Sequence, residues 1–98
     1  MKSIISGLNK HFDNRIRLGI MSALMVNSQV DFNTLKELLD VTDGNLASHL
    51  KALEKHKLVA VTKQFIGRKP NTTYCTTQEG RTAFINHLNA LELLIKTQ

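Results

Sequence analysis

The side chains best suited to recognition chemistry lie in the middle of the chain. Asn45, Ser48 and His49 are spaced three and four residues apart, so a helix would bring them together in one patch near its N-terminus. Amide, hydroxyl and imidazole groups donate and accept hydrogen bonds, which is how protein side chains distinguish base edges in the major groove of DNA. An ordinary solvated helix face has the same composition, and the patch taken alone favours that simpler interpretation.

A second group of polar residues lies further along the chain, in the run 67–73. Arg68 and Lys69 supply two positive charges there, and Thr72 and Thr73 supply hydroxyl groups. Such groups suit phosphates and the edge of the minor groove, where they position a protein without determining much sequence specificity. A solubilising loop is the alternative. The occurrence of this run together with the helical patch favours nucleic-acid binding.

Positive charge is concentrated in the stretch that contains both groups. The 98 residues carry a net charge of +5, and residues 43–73 contribute +4 of it. The charged side chains of that stretch are Lys51, Lys55, Lys57, Lys63, Arg68 and Lys69, against Asp43 and Glu54. A local positive field of this kind is typical of a polyanion site, although basic surfaces also serve solubility.

The elements that must position these groups are predicted from hydrophobic spacing and capping residues. Asp13 is the predicted N-cap of a helix over about 14–27, which is apolar on two faces and therefore buried from both sides. A short extended piece follows at 30–32, and Asn33 is predicted to cap a brief helix that ends at Leu39. The residues of this brief helix predicted to face inward are Leu35, Leu38 and Leu39.

The next predicted helix, over about 43–56, carries the polar patch. Thr42 is its predicted N-cap, and the negative charge of Asp43 suits the positive end of the helix dipole. Leucines recur along this helix at spacings of four and three, which predicts a buried stripe opposite the patch. The leucines of the stripe are Leu46, Leu50 and Leu53.

A β-hairpin and a long helix are predicted to complete the chain. Residues 58–66 and 72–77 are rich in β-branched side chains and are predicted strands, joined by a turn at 67–71. Thr77 is predicted to cap a last helix that reaches about Lys96. The resulting order is helix, short strand, helix, helix, two-stranded ribbon, helix. A mainly α fold with a small β-hairpin in this order is that of a winged helix-turn-helix domain.

Two runs resemble the winged-helix regulators of bacteria and archaea. The run 40–54, DVTDGNLASHLKALE, resembles their helix-turn-helix, and GRKPNTTY at 67–74 with TQEGR at 77–81 resembles their wing and last helix. The chain is similar to the minimal single-domain group related to the arsenic-repressor and multiple-antibiotic-resistance-repressor families. It departs from their pattern at Asn14, where many have proline, and at Thr76, where relatives usually have an aliphatic core residue.

The resemblance implies a sequence-specific regulator of transcription that binds double-stranded DNA. The helix 43–56 would enter the major groove with Asn45, Ser48 and His49 toward the bases, and Lys51 would contact DNA beside them. The wing 67–73 would lie on the backbone or in the minor groove. The wing residues implied to contact DNA are Arg68, Lys69, Thr72 and Thr73.

A homodimer is expected because the two terminal segments, about 1–12 and 78–96 of the single domain 1–98, carry more apolar residues than one small core needs. A twofold dimer would also place two recognition helices on a palindromic operator. The expected interface residues are Ile5, Leu8, Phe12, Leu88, Leu91, Leu94 and Ile95. The alternative is a monomer in which the first segment folds back over its own last helix.

Metal and redox chemistry are weaker interpretations of the sequence. No cysteine lies between Leu35 and Leu58, and His87 has no partner at metal-ligand spacing, so neither a metal nor another cofactor is expected. Cys75 is the only cysteine, and it lacks a resolving partner. A strand residue without a redox role is therefore the favoured interpretation of Cys75.

The main alternative function is a winged-helix module for protein–protein contact, although the clustered positive charge argues against it. An enzyme is not expected, because the sequence lacks a phosphate loop, a nucleophile motif and paired carboxylates at telling spacing. One cysteine, no apolar run of membrane-spanning length and no secretory-signal pattern predict a cytoplasmic protein. The operator and any small-molecule effector are left open.

Overall fold

The computed structural model describes residues 3–96 and confirms the predicted order of elements. Its elements are a 3-10 helix Lys10–Phe12, α1 Arg15–Met25, β1 Val30–Asp31, α2 Phe32–Leu39, α3 Asp43–Lys55, β2 Val59–Ile66, β3 Lys69–Thr76 and α4 Gln78–Lys96. The fold is mainly helical, and β1 joins the predicted hairpin to make an antiparallel sheet of order β1-β3-β2. Within the described residues, no helix is long and apolar enough to cross a membrane.

The hairpin is longer and its turn tighter than the sequence predicts. Residues 69–71, predicted to belong to the turn, pair in register with β2, with Ile66 opposite Lys69 and Phe65 opposite Pro70. The turn is reduced to two residues, and its first, Gly67, has a φ of 64° that glycine adopts without strain. Proline is tolerated at position 70 because β1 pairs with β3 only at Thr73 and Tyr74, which leaves that side of Pro70 unpaired.

The core lies between α1, α3 and the base of the sheet. As predicted, α1 is buried on two sides, and it contacts α2, α3 and β3. The predicted stripe of α3 is also buried, with each leucine at most 1% exposed. The fully buried side chains of the two helices are Ile20, Met21 and Leu24 of α1 and Leu46 and Leu53 of α3. Burial of each such side chain stabilises the fold by roughly 1.5–3 kcal/mol.

Two predicted helix caps are wrong by one or two residues. Asn14, not Asp13, caps α1, because its Oδ1 accepts hydrogen bonds from the backbone N–H groups of Ile16 and Arg17 at 2.9 and 3.1 Å. Asp13 instead ends the preceding 3-10 helix. Asp31 caps α2 through a 2.7 Å bond from the N–H of Thr34, and this bond lowers the pKa of the Asp31 carboxyl.

The inward face of α2 is narrower than predicted. Leu35 is fully buried and Leu39 packs against the core, but Leu38 is 62% exposed. Leu35 and Leu39 are one helical turn apart, so they share the face toward α1, and Leu38 points elsewhere. The prediction that Leu38 faces inward is therefore wrong.

The start of α4 is fastened to the turn between α3 and β2. The hydroxyl of Thr77 donates to the Lys57 carbonyl at 2.6 Å and accepts from the N–H of Gly80 at 2.8 Å, which confirms Thr77 as the cap. Gly80 itself is buried, and a Cβ at this position would lie 1.9 Å from the carbonyl oxygen of Leu58. Only glycine permits this close approach of helix and turn.

The N-terminal segment folds back across α4, as the monomer alternative describes. The backbone N–H of Asn9 donates to His87 Nδ1 at 2.9 Å, and a Cβ on Gly7 would be 3.2 Å from Ala90. Phe12 is 0% exposed and packs edge-on against Phe84 at 5.3 Å. No part of Phe12 is left for a partner subunit, so its predicted place in a dimer interface is wrong.

We predict that Gly80→Ala lowers the free energy of unfolding by about 1–3 kcal/mol or more, because the added methyl overlaps a backbone oxygen. Gly44→Ala is the matched control, since nothing lies within 4 Å of a Cβ there. Alanine at position 44 should raise stability by up to about 1 kcal/mol through helix propensity. Urea unfolding measures both, and equal stabilities of the two variants would contradict the close contact at Gly80.

We also predict that stability falls as the pH drops below about 6.5 because of His87. Burial lowers the pKa of His87 from its ordinary value of 6.5, with Asp13 acting weakly in the opposite direction. The unfolded chain therefore binds the proton first, and the folded state loses stability as pH falls toward the lowered pKa. Urea unfolding at pH 7.5 and 5.0 tests this. His87→Gln, which keeps an acceptor for Asn9, should reduce the dependence without abolishing it, because the pKa values of His11 and His49 are also lowered. An unchanged slope would contradict the role of His87.

Candidate functional site

The position of α3 relative to α2 is set by a short turn and polar contacts at its start. Asp40 ends α2 in the left-handed conformation with φ 51°, which turns the chain sharply. The Thr42 side chain accepts from the N–H of Asn45 at 3.2 Å, which confirms it as the N-cap. An ion pair of 2.9 Å between Lys36 and Asp43 joins α2 to the first turn of α3. The two helices are thus held as one unit.

The exposed face of α3 is a polar and basic strip. Gly44, Ser48, Lys51 and Lys55 recur at spacings of four, three and four residues, which places them opposite the buried leucines. All four are exposed. Asn45 is also exposed but lies toward one edge of this strip. Small side chains near the N-terminus and lysines further along are compatible with a close approach to a groove and with contacts to phosphates.

His49 differs from the other residues of the predicted patch. It is half-buried, and its Nδ1 accepts a 3.0 Å hydrogen bond from Nε of Arg17 on α1. Burial lowers the pKa of His49, and the positive charge of Arg17 lowers it further. The imidazole is therefore neutral at pH 7 with its proton on Nε2, which leaves one N–H donor. Asn45 and Ser48 lie on the open surface, whereas His49 lies at the edge and is held by α1.

A groove of about 520 Å³ separates α3 from the hairpin. The α3 side of this groove, which we call the α3–hairpin groove, is formed by Ala47, Ser48, Lys51 and Glu54. The hairpin side is formed by Val61, Lys63 and Tyr74. Val61 and Tyr74 are direct cross-strand partners, so they share one face of the sheet, and alternation along β2 places Lys63 on the same face.

The chemistry of the α3–hairpin groove suits a phosphate. Lys51 and Lys63 supply positive charge from its two walls, and Ser48 and Tyr74 supply hydroxyl donors. Burial raises the pKa of Tyr74, and the nearby Glu54 carboxylate raises it further, so the phenol keeps its proton. Glu54 is the one acidic residue of the groove, and the two lysines outweigh its charge.

The hairpin residues predicted to bind DNA divide into two groups. Arg68 and Lys69 are exposed at the turn, and Thr72 is half-buried opposite Lys63. Thr73 is only 8% exposed, and its hydroxyl donates to the side chain of Gln29 at 3.4 Å. Because β3 is the central strand, Thr73 is flanked by strands on both sides. Alternation along β3 places Thr73 on the face away from Thr72 and Tyr74, so its predicted DNA contact lies outside the surface formed by those residues.

Lys55, Lys63 and Tyr74 belong to this surface but were not predicted as site residues. Lys63 and Tyr74 could have been found from strand alternation, since Lys63 is two residues after Val61 on the apolar face of β2. Their approach to Ser48 and Lys51 depends on the packing of the hairpin against α3. No local sequence signal contains that information.

A second exposed surface is apolar and lies at the opposite end of the chain. All buried residues of α4 fall in its first half, at Gly80, Phe84 and His87. Its second half exposes large apolar side chains: Leu88 is 44% exposed, Leu91 37%, Leu93 56% and Ile95 81%. Leu94 is half-buried. Of the predicted interface residues on the N-terminal segment, Ile5 is 59% exposed and Leu8 is half-buried.

The histidine, cysteine and acidic side chains of residues 3–96 form no group of three that could hold a metal ion. Cys75 is half-buried on β3, opposite Ala60 of β2.

Comparison with known proteins agrees with this geometry. A family model described as a winged helix DNA-binding domain matches residues 16–95. An uncharacterised protein of Methanocaldococcus jannaschii is 38% identical over 87 residues, which are 89% of this chain and 95% of that protein. A transcriptional regulator homologue from Pyrococcus horikoshii is 32% identical with a TM-score of 0.84, over 95% of this chain and 90% of that one.

A more distant structure extends the likeness in fold. A transcriptional regulator of the MarR family from Enterococcus faecalis has a TM-score of 0.74 at 24% identity. The alignment covers 96% of this chain and 80% of that regulator.

Proposed function

This chain belongs to the winged helix DNA-binding domain family, and we propose that it regulates transcription as a homodimer bound to a palindromic operator. The family and its structural relatives indicate a DNA-binding regulator and not an enzyme. The observation that carries the finer proposal is the α3–hairpin groove. It places the exposed strip of α3, with Ser48 and Lys51, beside Lys63 and Tyr74 of the hairpin on one side of the molecule.

In the proposed complex, α3 enters the major groove and the hairpin reaches the adjacent minor groove. Asn45 and Ser48 face the bases, and His49 presents its remaining N–H donor at the edge of the same groove. The phosphate backbone that separates the major groove of the DNA from its minor groove lies in the α3–hairpin groove of the protein, against Lys51 and Lys63. The wing residues proposed to contact the backbone or the minor groove are Arg68, Lys69 and Thr72.

The position of Arg17 favours a supporting role for α1 in base recognition. Its Nε holds His49 at 3.0 Å, and its Nη1 lies 3.4 Å from the carbonyl oxygen of His11. These two contacts fix the guanidinium, and the guanidinium in turn fixes the orientation of the imidazole. A donor held in place before binding loses less conformational entropy on contact with a base.

We predict that base-contacting and phosphate-contacting residues have different effects on DNA affinity. Ser48→Ala or His49→Ala should cost about 1–3 kcal/mol on a duplex selected by binding, and little on random duplexes. Lys51→Gln or Lys63→Gln should weaken binding to both duplexes, and each should reduce the salt slope of log K by about one. Fluorescence anisotropy at several salt concentrations measures all four variants.

The control for these variants is Lys96→Gln, which removes a positive charge from the far end of α4, where Lys96 pairs with Glu92. Its affinity and salt slope should match those of the parent. Equal losses on both duplexes for all four variants would show that the assigned roles are wrong. A parent protein that binds no duplex at any salt concentration would favour the alternative of a protein–protein interaction module.

The homodimer is supported by the apolar second half of α4. Leu88, Leu91 and Ile95 recur at spacings of three and four, so they form a stripe that the described part of the chain leaves exposed. The N-terminal segment crosses its own α4, and its Ile4 remains 62% exposed. Exposed apolar surface of this kind marks a protein contact, and a second copy of the same stripe would cover it. The dimer would set two α3 helices about 34–36 Å apart.

We predict that Leu88→Glu with Leu91→Glu yields a folded monomer with much weaker operator binding, because like charges would then face each other across the twofold axis. Leu38→Glu on α2 is the control, since Leu38 is also exposed but lies outside the proposed interface. Sedimentation at micromolar concentration measures the oligomeric state. A parent protein that sediments as a monomer and binds one half-site as tightly as two would contradict the dimer.

A further inference from the structure

The tip of the hairpin exposes two large apolar side chains. Phe65 is 73% exposed and Ile66 is 61% exposed, although both belong to a regular paired strand. Their cross-strand partners, Pro70 and Lys69, are exposed as well. The ring of Phe65 is therefore mostly in solvent, on a hairpin whose turn also exposes Arg68 and Lys69.

The two side chains point in opposite directions. Alternation along β2 places Phe65 on the same face as Val61 and Lys63, which line the α3–hairpin groove, and Ile66 on the other face. Phe65 therefore continues the proposed DNA surface toward the tip. Pro70 lies directly opposite it and adds a rigid apolar neighbour.

The charges around Phe65 identify the chemistry of its partner. Residues 55–78 contain five lysines and arginines and no aspartate or glutamate. The exposed ring has cations on both sides along the chain: Lys63 lies two residues before Phe65, and Arg68 and Lys69 follow at the turn. Glu54 and Asp31 are the acidic residues that line the grooves beside this face, and the cations outnumber them. An anionic partner that also offers apolar surface between its charges therefore suits this face. The minor groove of duplex DNA has both properties, with phosphates along its two edges and sugars and base edges between them.

We propose that Phe65, supported by Pro70, enters the minor groove as an apolar wedge between the cations of the wing and bends the duplex. This inference rests on the proposed DNA binding. The tip is suited to insertion because eight paired residues on each strand and a two-residue turn hold its backbone in place. Apolar side chains that enter the minor groove partly unstack a base step and bend DNA by about 20–90° toward the major groove. The wedge also adds specificity, because flexible pyrimidine–purine steps bend at lower cost.

The test compares Phe65→Ser with the parent on one duplex, selected from random sequence by the parent and labelled at both ends for energy transfer. The parent should shorten the end-to-end distance. Phe65→Ser should bind about tenfold more weakly and leave the duplex straighter. Phe65→Leu should keep most of the bend. Ile66→Ser, at a residue that is also exposed but on the opposite face, is the control and should behave as the parent. Thermal unfolding verifies that each variant is folded.

The outcomes separate this inference from the function on which it rests. A parent protein that binds no duplex overturns the proposed function. Binding by the parent with an unbent duplex, or with a bend that Phe65→Ser retains, overturns the wedge and leaves DNA binding intact. A change in sedimentation of Phe65→Ser without DNA assigns the ring to contact with a second copy of the chain, which also overturns the wedge.

Discussion

The packing of α1 against α3 is the interaction on which the rest of the structure depends. Ile20, Met21 and Leu24 are completely buried in the same core as the leucines of α3. This packing fixes the rotation of α3 about its axis, so that the exposed strip from Gly44 to Lys55 faces outward along its whole length. The same helix carries Arg17, which holds His49 in place. A rotation of α3 by one residue would move Ser48 to the half-buried place of His49 and would turn the leucines of the stripe toward solvent.

The hairpin depends on this packing indirectly. Its base is joined to the core by Val59, which is 2% exposed, and to the start of α4 by the hydrogen bonds of Thr77. Its outer half is largely exposed and carries Lys63 and Phe65. The base of the hairpin is therefore fixed to the core and positions the α3–hairpin groove, whereas the outer half is exposed and free to contact a partner. Positive charge follows the same division, because the cations of 55–78 lie on the hairpin and its approach, whereas the second half of α4 is mostly apolar.

Much of this arrangement could be predicted from sequence, because it depends on local periodicity. The leucine spacing of α3, the cap at Thr42 and the cap at Thr77 are all signals within a few residues. One error arose because two neighbouring residues, Asp13 and Asn14, are both suitable N-caps for α1, and local sequence does not choose between them. Elsewhere, tertiary contacts decide the outcome. Thr73 is only 8% exposed, next to Asp31 of β1 and bonded to the side chain of Gln29.

The residues of the site show the same limit. Phe12 has the apolar character expected of an interface residue, but it packs against Phe84 of its own chain because the N-terminal segment crosses α4. His49 was predicted as an open base-contacting residue, and its bond to Arg17 joins positions 32 residues apart in sequence. Such contacts depend on how helices cross, which helical periodicity alone does not determine. The exposed position of Arg68 and Lys69 could be predicted, because residues at a hairpin turn are exposed whatever the rest of the chain does.

We propose that α3 and the hairpin form one DNA-binding surface, and an NMR titration of the ¹⁵N-labelled protein with a duplex selected by binding tests this proposal. We expect amide shifts to concentrate in residues 44–55 of α3 and in 61–72 of the hairpin, on both sides of the α3–hairpin groove. Shifts confined to α4 and the N-terminal segment, with α3 and the hairpin unchanged, would contradict it.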